Sequence, residues 1–247
     1  QSPPAVPGRR TLLTMIGRIP ETQFDLRFRI GPIPVRVHPI FWVTAAFVVW
    51  GGYNHDPPQL LLAVLAVFVS VLVHELGHAT MTRIFGWPSE IVLGFFGGYA
   101  TTSRTSTGRN LAVLFAGPGA GLALASLSFA IIVVLARSGQ AALPRVNETL
   151  GFLLLVNIFW SVLNLVPVLP LDGGQLVAAL LSRSDSRRGG RRALTLSTVT
   201  AVVVAVAGYW VGRAVAINSG VLPILFAVLA YQNAVGRRML GHPLEAS

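Results

Sequence analysis

Long runs without ionisable side chains constrain this chain more than any other feature. Residues 57–73 read PPQLLLAVLAVFVSVLV, and no acidic, basic or histidine residue interrupts them. A helix needs about 20 apolar residues to cross the hydrocarbon core of a bilayer. Six runs approach or meet that length, at 39–53, 59–83, 111–136, 149–168, 194–212 and 219–235. They predict an all-α polytopic membrane protein with about six transmembrane helices.

The charged residues support this interpretation. They make up 11% of the 247 residues, against about 25% in a soluble domain. The net charge of +10 comes from arginine alone, since the chain has no lysine. The arginines lie at the ends of the apolar runs, so they indicate orientation in a membrane rather than binding of a nucleic acid. The lipid bilayer is therefore an expected partner and a nucleic acid is not.

The arginine distribution predicts how the chain is oriented. Sixteen of the 19 arginines fall in the two termini and in the second and fourth connections between spans, and three fall in the other connections. Cytoplasmic segments carry the excess of arginine, so both termini are expected in the cytoplasm. The predicted organisation is a flexible basic tail at 1–30, a six-span domain at 31–238 and a C-terminal tail at 239–247.

One apolar run contains the sequence VLVHELGHAT, residues 71–80. On a helix, His74 and His78 are four residues apart and project from one face, so both imidazoles can hold one Zn²⁺. Glu75 is the next residue and can take a proton from a water molecule at such a site. This H-E-x-x-H spacing is typical of zinc metalloproteases. Histidines that merely bond neighbouring helices are the weaker alternative, because polar groups at membrane depth are costly without a function.

A hydrolytic zinc site needs a third protein ligand. The sequence NLVPVLPLDGGQ, residues 164–175, offers Asp172. Its prolines break the fourth span, and its glycine pair permits a tight turn. His38 and His55 are competing candidates, but the first lies at a membrane interface and the second in an outer loop. Counted along the spans, Asp172 and the His74 motif both fall toward the cytoplasmic end and can meet.

Several motifs together resemble the site-2 protease family of intramembrane zinc metalloproteases, in a compact form without a PDZ or CBS domain. They are HELGH within a span, NLVPVLPLDGG, GPIPVRVHPIFW before the first span, GFFGGYA at 94–100 and FAGPGAGL at 115–122. The resemblance implies that one Zn²⁺ per chain is held by His74, His78 and Asp172, with Glu75 as catalytic base.

The resemblance also implies that Asn164 contacts the substrate backbone or the developing oxyanion. A hydrogen bond between helices is the alternative for this side chain, and Asn157 is a second candidate for the same role.

Residues 87–102 are apolar and rich in glycine but too short to cross a membrane as a helix. The resemblance implies a short re-entrant β-like segment here, whose edge can pair with an unwound substrate. Gly94, Gly97 and Gly98 lack the side chains that would hold a second backbone away, so they are predicted to bind substrate. The alternative is a surface loop that only packs on the helices.

The function implied by the resemblance is hydrolysis of a peptide bond in or near the transmembrane segment of a single-span membrane-protein substrate. A metal-ion transporter using the same zinc site is one alternative, disfavoured because the polar groups gather at one depth. A catalytically silent membrane scaffold is another, disfavoured by the intact Glu75. The sequence does not indicate which oligomeric state the protein adopts.

Overall fold

The computed structural model describes residues 20–53, 56–94, 97–100, 107–138, 144–183, 185–214 and 220–241. Within these ranges the chain forms four strands and seven helices. The strands are β1 (Leu26–Ile30), β2 (Ile33–Val37), β3 (Ile91–Gly94) and β4 (Gly97–Ala100). The helices are α1 (Pro39–Tyr53), α2 (Pro57–Ile84), α3 (Thr107–Arg137), α4 (Pro144–Asn164), α5 (Asp172–Leu181), α6 (Ser186–Ala214) and α7 (Val221–Gly241).

Each of the six predicted apolar runs forms a helix, namely α1 to α4, α6 and α7. Helices α2, α3, α4 and α6 are long and apolar enough to cross a membrane by length and composition, and α1 is a shorter apolar helix. The chain is therefore a multi-pass integral membrane protein, as predicted. The fourth span ends at Asn164 rather than at residue 168, since prolines follow it, and the short helix α5 comes after the resulting turn.

The predicted β-like segment is confirmed as strands β3 and β4, but it belongs to a larger sheet with the order β1-β2-β3-β4. Strand β1 lies within residues 1–30, where the sequence predicts a flexible tail. It pairs antiparallel with β2 through a turn at Gly31, whose φ of 55° suits glycine. The described sheet thus begins before residue 31.

Parallel pairing of β2 with β3 joins the N-terminal hairpin to the rest of the molecule. Val35 lies opposite Ile91, and α1 and α2 form the connection between the two strands. Both strands are buried against α1 and α2. Arg83, in the last turn of α2, donates hydrogen bonds to the carbonyl of Pro32 at 3.0 Å and to the hydroxyl of Ser89 at 3.2 Å. These bonds fix the sheet at the C-terminal end of α2.

The central helices α2, α3 and α4 pack closely because small residues lie between them. A Cβ added at Gly77 of α2 would overlap the Ala116 carbonyl of α3, and one added at Gly121 of α3 would overlap the Ser161 hydroxyl of α4. Small residues at such contacts let membrane helices approach closely. The side-chain amide of Asn157 on α4 also donates to the Ser70 hydroxyl on α2, at 2.9 Å.

Candidate metal centre

Two helices bring three candidate ligands together. His74 and His78 lie one turn apart on α2, and Asp172 is the first residue of α5. The Nε2 atoms of the two histidines are 3.1 Å apart. Oδ2 of Asp172 lies 3.2 Å from Nε2 of His74 and 3.1 Å from Nε2 of His78. All three side chains are buried, so the cluster is shielded from bulk water.

The orientation of His78 is set by helix α3. Its Nδ1 atom lies 2.7 Å from the Val113 carbonyl oxygen, which can only accept a hydrogen bond. Nδ1 therefore carries the proton and Nε2 offers a lone pair to the cluster. The His78 ring fits beside α3 because Gly117 has no side chain, and a Cβ there would overlap the ring. Nδ1 of His74 has no comparable partner among the described residues.

The donor set and its spacing fit a zinc ion. Tetrahedral zinc takes imidazole nitrogen and carboxylate oxygen at about 2.0–2.1 Å, which places neighbouring ligand atoms roughly 3.3 Å apart. The three separations in the cluster are 3.1, 3.1 and 3.2 Å. This group can therefore hold one metal ion with three protein ligands. Three ligands leave the fourth position open, as in catalytic zinc sites.

Asp172 reaches the cluster through the turn that follows α4. The backbone at Gly173 and Gly174 lies against that of Leu165, Val166 and Val168, where a Cβ would overlap main-chain atoms. The glycine pair therefore lets α5 begin directly on the turn. Its first residue, Asp172, then faces the histidines of α2.

Two polar residues that the sequence analysis missed hold the same turn. The Ser197 hydroxyl on α6 accepts a hydrogen bond from the Leu169 amide at 3.1 Å, and the Asn233 amide on α7 donates to the Leu169 carbonyl at 2.8 Å. Both side chains are buried. A buried asparagine in an apolar span is the signal that could have identified Asn233.

Glu75 is buried beside the two histidines, at 5% exposure. No hydrogen bond to its carboxylate comes from the described part of the chain, in contrast to Asp172, whose Oδ2 faces both imidazoles. A carboxylate beside a metal site can accept a proton from a water molecule.

Of the two competing ligand candidates, His38 does not join the cluster. His38 lies at the start of α1, where its Nδ1 accepts a hydrogen bond from the Ile40 amide at 3.1 Å and its own amide donates to Leu93. His38 therefore lies at the junction between the end of β2 and the beginning of α1. His55 lies outside the described residues.

In the described part of the chain, no hydrogen bond joins the predicted substrate-binding residues to the cluster. Asn164 is buried at the end of α4 and donates to the Trp160 carbonyl in its own helix, at 2.9 Å. Asn157, the other candidate, donates a hydrogen bond from its side-chain amide to the Ser70 hydroxyl. Gly94 and Gly97 lie opposite each other in the β3–β4 pair, with Gly98 opposite Leu93. Strand β4 packs against α2 and is an edge of the sheet in the described residues.

Comparisons with known proteins find similarity to metalloproteases. The Peptidase family M50 profile matches residues 131–208. The chain is 36% identical over 165 residues to the putative zinc metalloprotease Rip3 of Mycobacterium tuberculosis, covering 64% of this chain and 42% of that protein. It is 30% identical over 159 residues to the zinc metalloprotease MJ0392 of Methanocaldococcus jannaschii, covering 63% and 45%. The chain thus spans less than half the length of these relatives.

A solved structure shares the fold. The site-2 protease from Methanocaldococcus jannaschii superposes with a TM-score of 0.59 at 20% identity, over 91% of this chain and 98% of that one. Fold and site therefore define a membrane-embedded protein with a metalloprotease-type ligand cluster. The resemblance to the site-2 proteases of peptidase family M50 is confirmed.

The fit of His78 against Gly117 can be tested by substitution at Gly117. Gly117→Ala places a methyl group where the imidazole lies, so Nε2 of His78 is displaced from the cluster. We expect zinc affinity to fall about 10- to 100-fold, the usual effect of disturbing a partner that orients a ligand. The zinc affinity is measured by competition with a zinc-binding dye, with the protein in detergent.

Gly119→Ala is the matched control, because the same methyl group two residues along α3 meets no atom within 4 Å. Circular dichroism of both variants checks that helix content is retained. Equal zinc affinity in Gly117→Ala and the natural protein would show that α3 does not position His78.

Proposed function

We propose that this protein is an intramembrane zinc metalloprotease that hydrolyses peptide bonds in or near the transmembrane segments of other membrane proteins. The observation that carries this proposal is the convergence of His74, His78 and Asp172, with Glu75 beside them, inside a bundle of membrane-spanning helices. The putative zinc metalloprotease Rip3 and the zinc metalloprotease MJ0392 are relatives whose names point the same way.

Each residue has a separate chemical task in this proposal. A zinc ion on the three ligands would supply Lewis-acid chemistry, polarising the scissile carbonyl and making water more acidic. Glu75 takes one proton from the attacking water, whose oxygen bonds to the carbonyl carbon. When the carbon–nitrogen bond breaks, Glu75 returns that proton to the leaving nitrogen, so protons balance over the cycle.

The substrate must be unwound before it is cut, because the carbonyls of a helix are bonded to its own amides. Freeing such groups inside a bilayer costs several kcal/mol each unless the enzyme offers partners. The edge of β4 offers a row of backbone groups near α2. Gly94, Gly97 and Gly98 allow a second backbone to approach, and the Asn164 amide is a further donor.

The orientation of the chain is also a proposal. The arginine excess favours both termini in the cytoplasm, and the cluster in the C-terminal half of α2 would then lie toward that side. The chain has no cysteine, which makes single-cysteine labelling unambiguous. In intact cells we expect Ser138→Cys to react with a membrane-impermeant maleimide and Ser186→Cys to be protected. The opposite pattern would reverse the orientation and leave the site unchanged.

The role of Glu75 is tested by separating metal binding from cleavage. Glu75→Gln keeps the size of the side chain and leaves the three ligands in place, but an amide cannot accept the proton. We expect zinc content near one per chain and loss of cleavage by about 100-fold or more, the scale of general-base catalysis. Zinc analysis and cleavage of a transmembrane substrate in proteoliposomes measure the two properties.

Glu148→Gln on α4 is the matched control, because this exposed residue lies outside the cluster and the variant should cleave normally. Normal cleavage by Glu75→Gln would show that another group acts as the base.

Substrate pairing with β4 makes a prediction about Gly97 and Asn164. We expect Gly97→Val and Asn164→Ala to keep zinc but cleave more slowly. Asn157→Ala should chiefly lower stability, because it removes the hydrogen bond from the Asn157 side-chain amide to the Ser70 hydroxyl. A glycine or proline near the cut site of the substrate should partly rescue Gly97→Val, because less helix must be unwound. Cleavage rates for the crossed set of enzymes and substrates decide this. The pairing model fails if both variants cleave at the natural rate, or if the helix breakers rescue neither.

A further inference from the structure

Several arginines lie at one end of the helix pair formed by α6 and α7. A Cβ at Gly208 would lie 3.4 Å from Leu222, and one at Gly190 would lie 3.8 Å from Leu240, so the two helices run antiparallel. The beginning of α6 therefore meets the end of α7. Four exposed arginines lie there, and we call them the arginine cluster: Arg191, Arg192, Arg237 and Arg238.

In the described part of the chain, no member of the arginine cluster forms an ion pair with a carboxylate, whereas the neighbouring Arg188 pairs with Asp185 at 3.5 Å. Four guanidinium groups held close together repel one another unless an anion lies between them. The cluster therefore presents an electrostatic environment that favours an anionic ligand.

Two open cavities lie against the cluster, each of about 410 Å³. Arg191 and Arg237 line both of them. The first cavity continues onto Leu196 and Val199, which are exposed apolar residues one and two turns further along α6. The second includes the hydroxyl-bearing residue Thr198. None of the three candidate metal ligands lines either cavity, so this is a separate site.

The position of the cluster along α6 corresponds to the level of lipid headgroups. Tyr209 and Trp210 are exposed near the other end of the helix, and such aromatic residues mark a membrane interface. The 18 helical steps from Arg192 to Trp210 span roughly 27 Å, close to the thickness of a hydrocarbon core. The arginines at one boundary and the aromatic residues at the other therefore frame a lipid-facing helix.

We propose that the arginine cluster binds the headgroup of an anionic glycerophospholipid. The phosphate is held between Arg191 and Arg237, which can donate paired hydrogen bonds to its oxygens. One acyl chain lies along Leu196 and Val199. This apolar wall is what distinguishes a lipid from a free anion, because a soluble phosphate has nothing to bury against it. Basic pockets between membrane helices are suited to such headgroups.

The test uses the purified full-length chain and counts retained lipid by native mass spectrometry. The probes are phosphatidylglycerol and phosphatidylcholine with identical acyl chains. The natural protein should retain phosphatidylglycerol preferentially. The variant Arg191→Gln/Arg237→Gln should bind it about 25-fold more weakly, which is roughly fivefold for each arginine removed.

The matched control is Arg137→Gln/Arg213→Gln, which removes two exposed arginines from the last turns of α3 and α6. It has the same net charge as the test variant and should retain phosphatidylglycerol like the natural protein. Equal loss in both double variants would show that only net charge matters and would overturn the proposal. Displacement of the lipid by excess inorganic phosphate would show a simple anion site and would overturn it as well.

Discussion

The close approach of α2 to α3 is the contact on which the candidate site depends. Gly77 lets the two helices meet, and Gly117 leaves the space that the His78 ring occupies. The Val113 carbonyl then fixes that ring, so Nε2 faces His74 and Asp172. A metal site in a membrane needs such support, because ligands that are not held by packing and hydrogen bonds would remain as costly isolated polar groups.

The remaining elements bring the other groups to this contact. The turn after α4 delivers Asp172, and α6 and α7 hold the turn through Ser197 and Asn233. At the C-terminal end of α2, a hydrogen bond from Arg83 connects the sheet to the helix. The edge strand β4 therefore lies near the helix that carries both histidines. In the proposed function, the bundle therefore supplies the hydrolytic groups and the sheet supplies the partners for an unwound substrate.

The sequence predicts the parts of this arrangement that follow from local periodicity. The spacing of His74 and His78 places both on one helix face, and the prolines and glycines around Asp172 indicate a turn at membrane depth. Strands β1 and β2 are not predicted, although the alternation in LRFRI is typical of a strand, because β2 finds its parallel partner β3 only after two intervening helices. The roles of Gly117, Ser197 and Asn233 depend on contacts between helices, which no local pattern specifies.

In the proposed site, His74, His78 and Asp172 bind one zinc ion together. X-ray absorption spectroscopy at the zinc edge, on the full-length chain in lipid nanodiscs, tests it most directly. We expect the scattering of two imidazoles together with oxygen ligands. It should be reduced to one imidazole in any His78→Ala protein that still holds zinc, and it should be unchanged in Glu75→Gln. A spectrum without two imidazoles, or one that His78→Ala leaves unaltered, would contradict the assignment of the site.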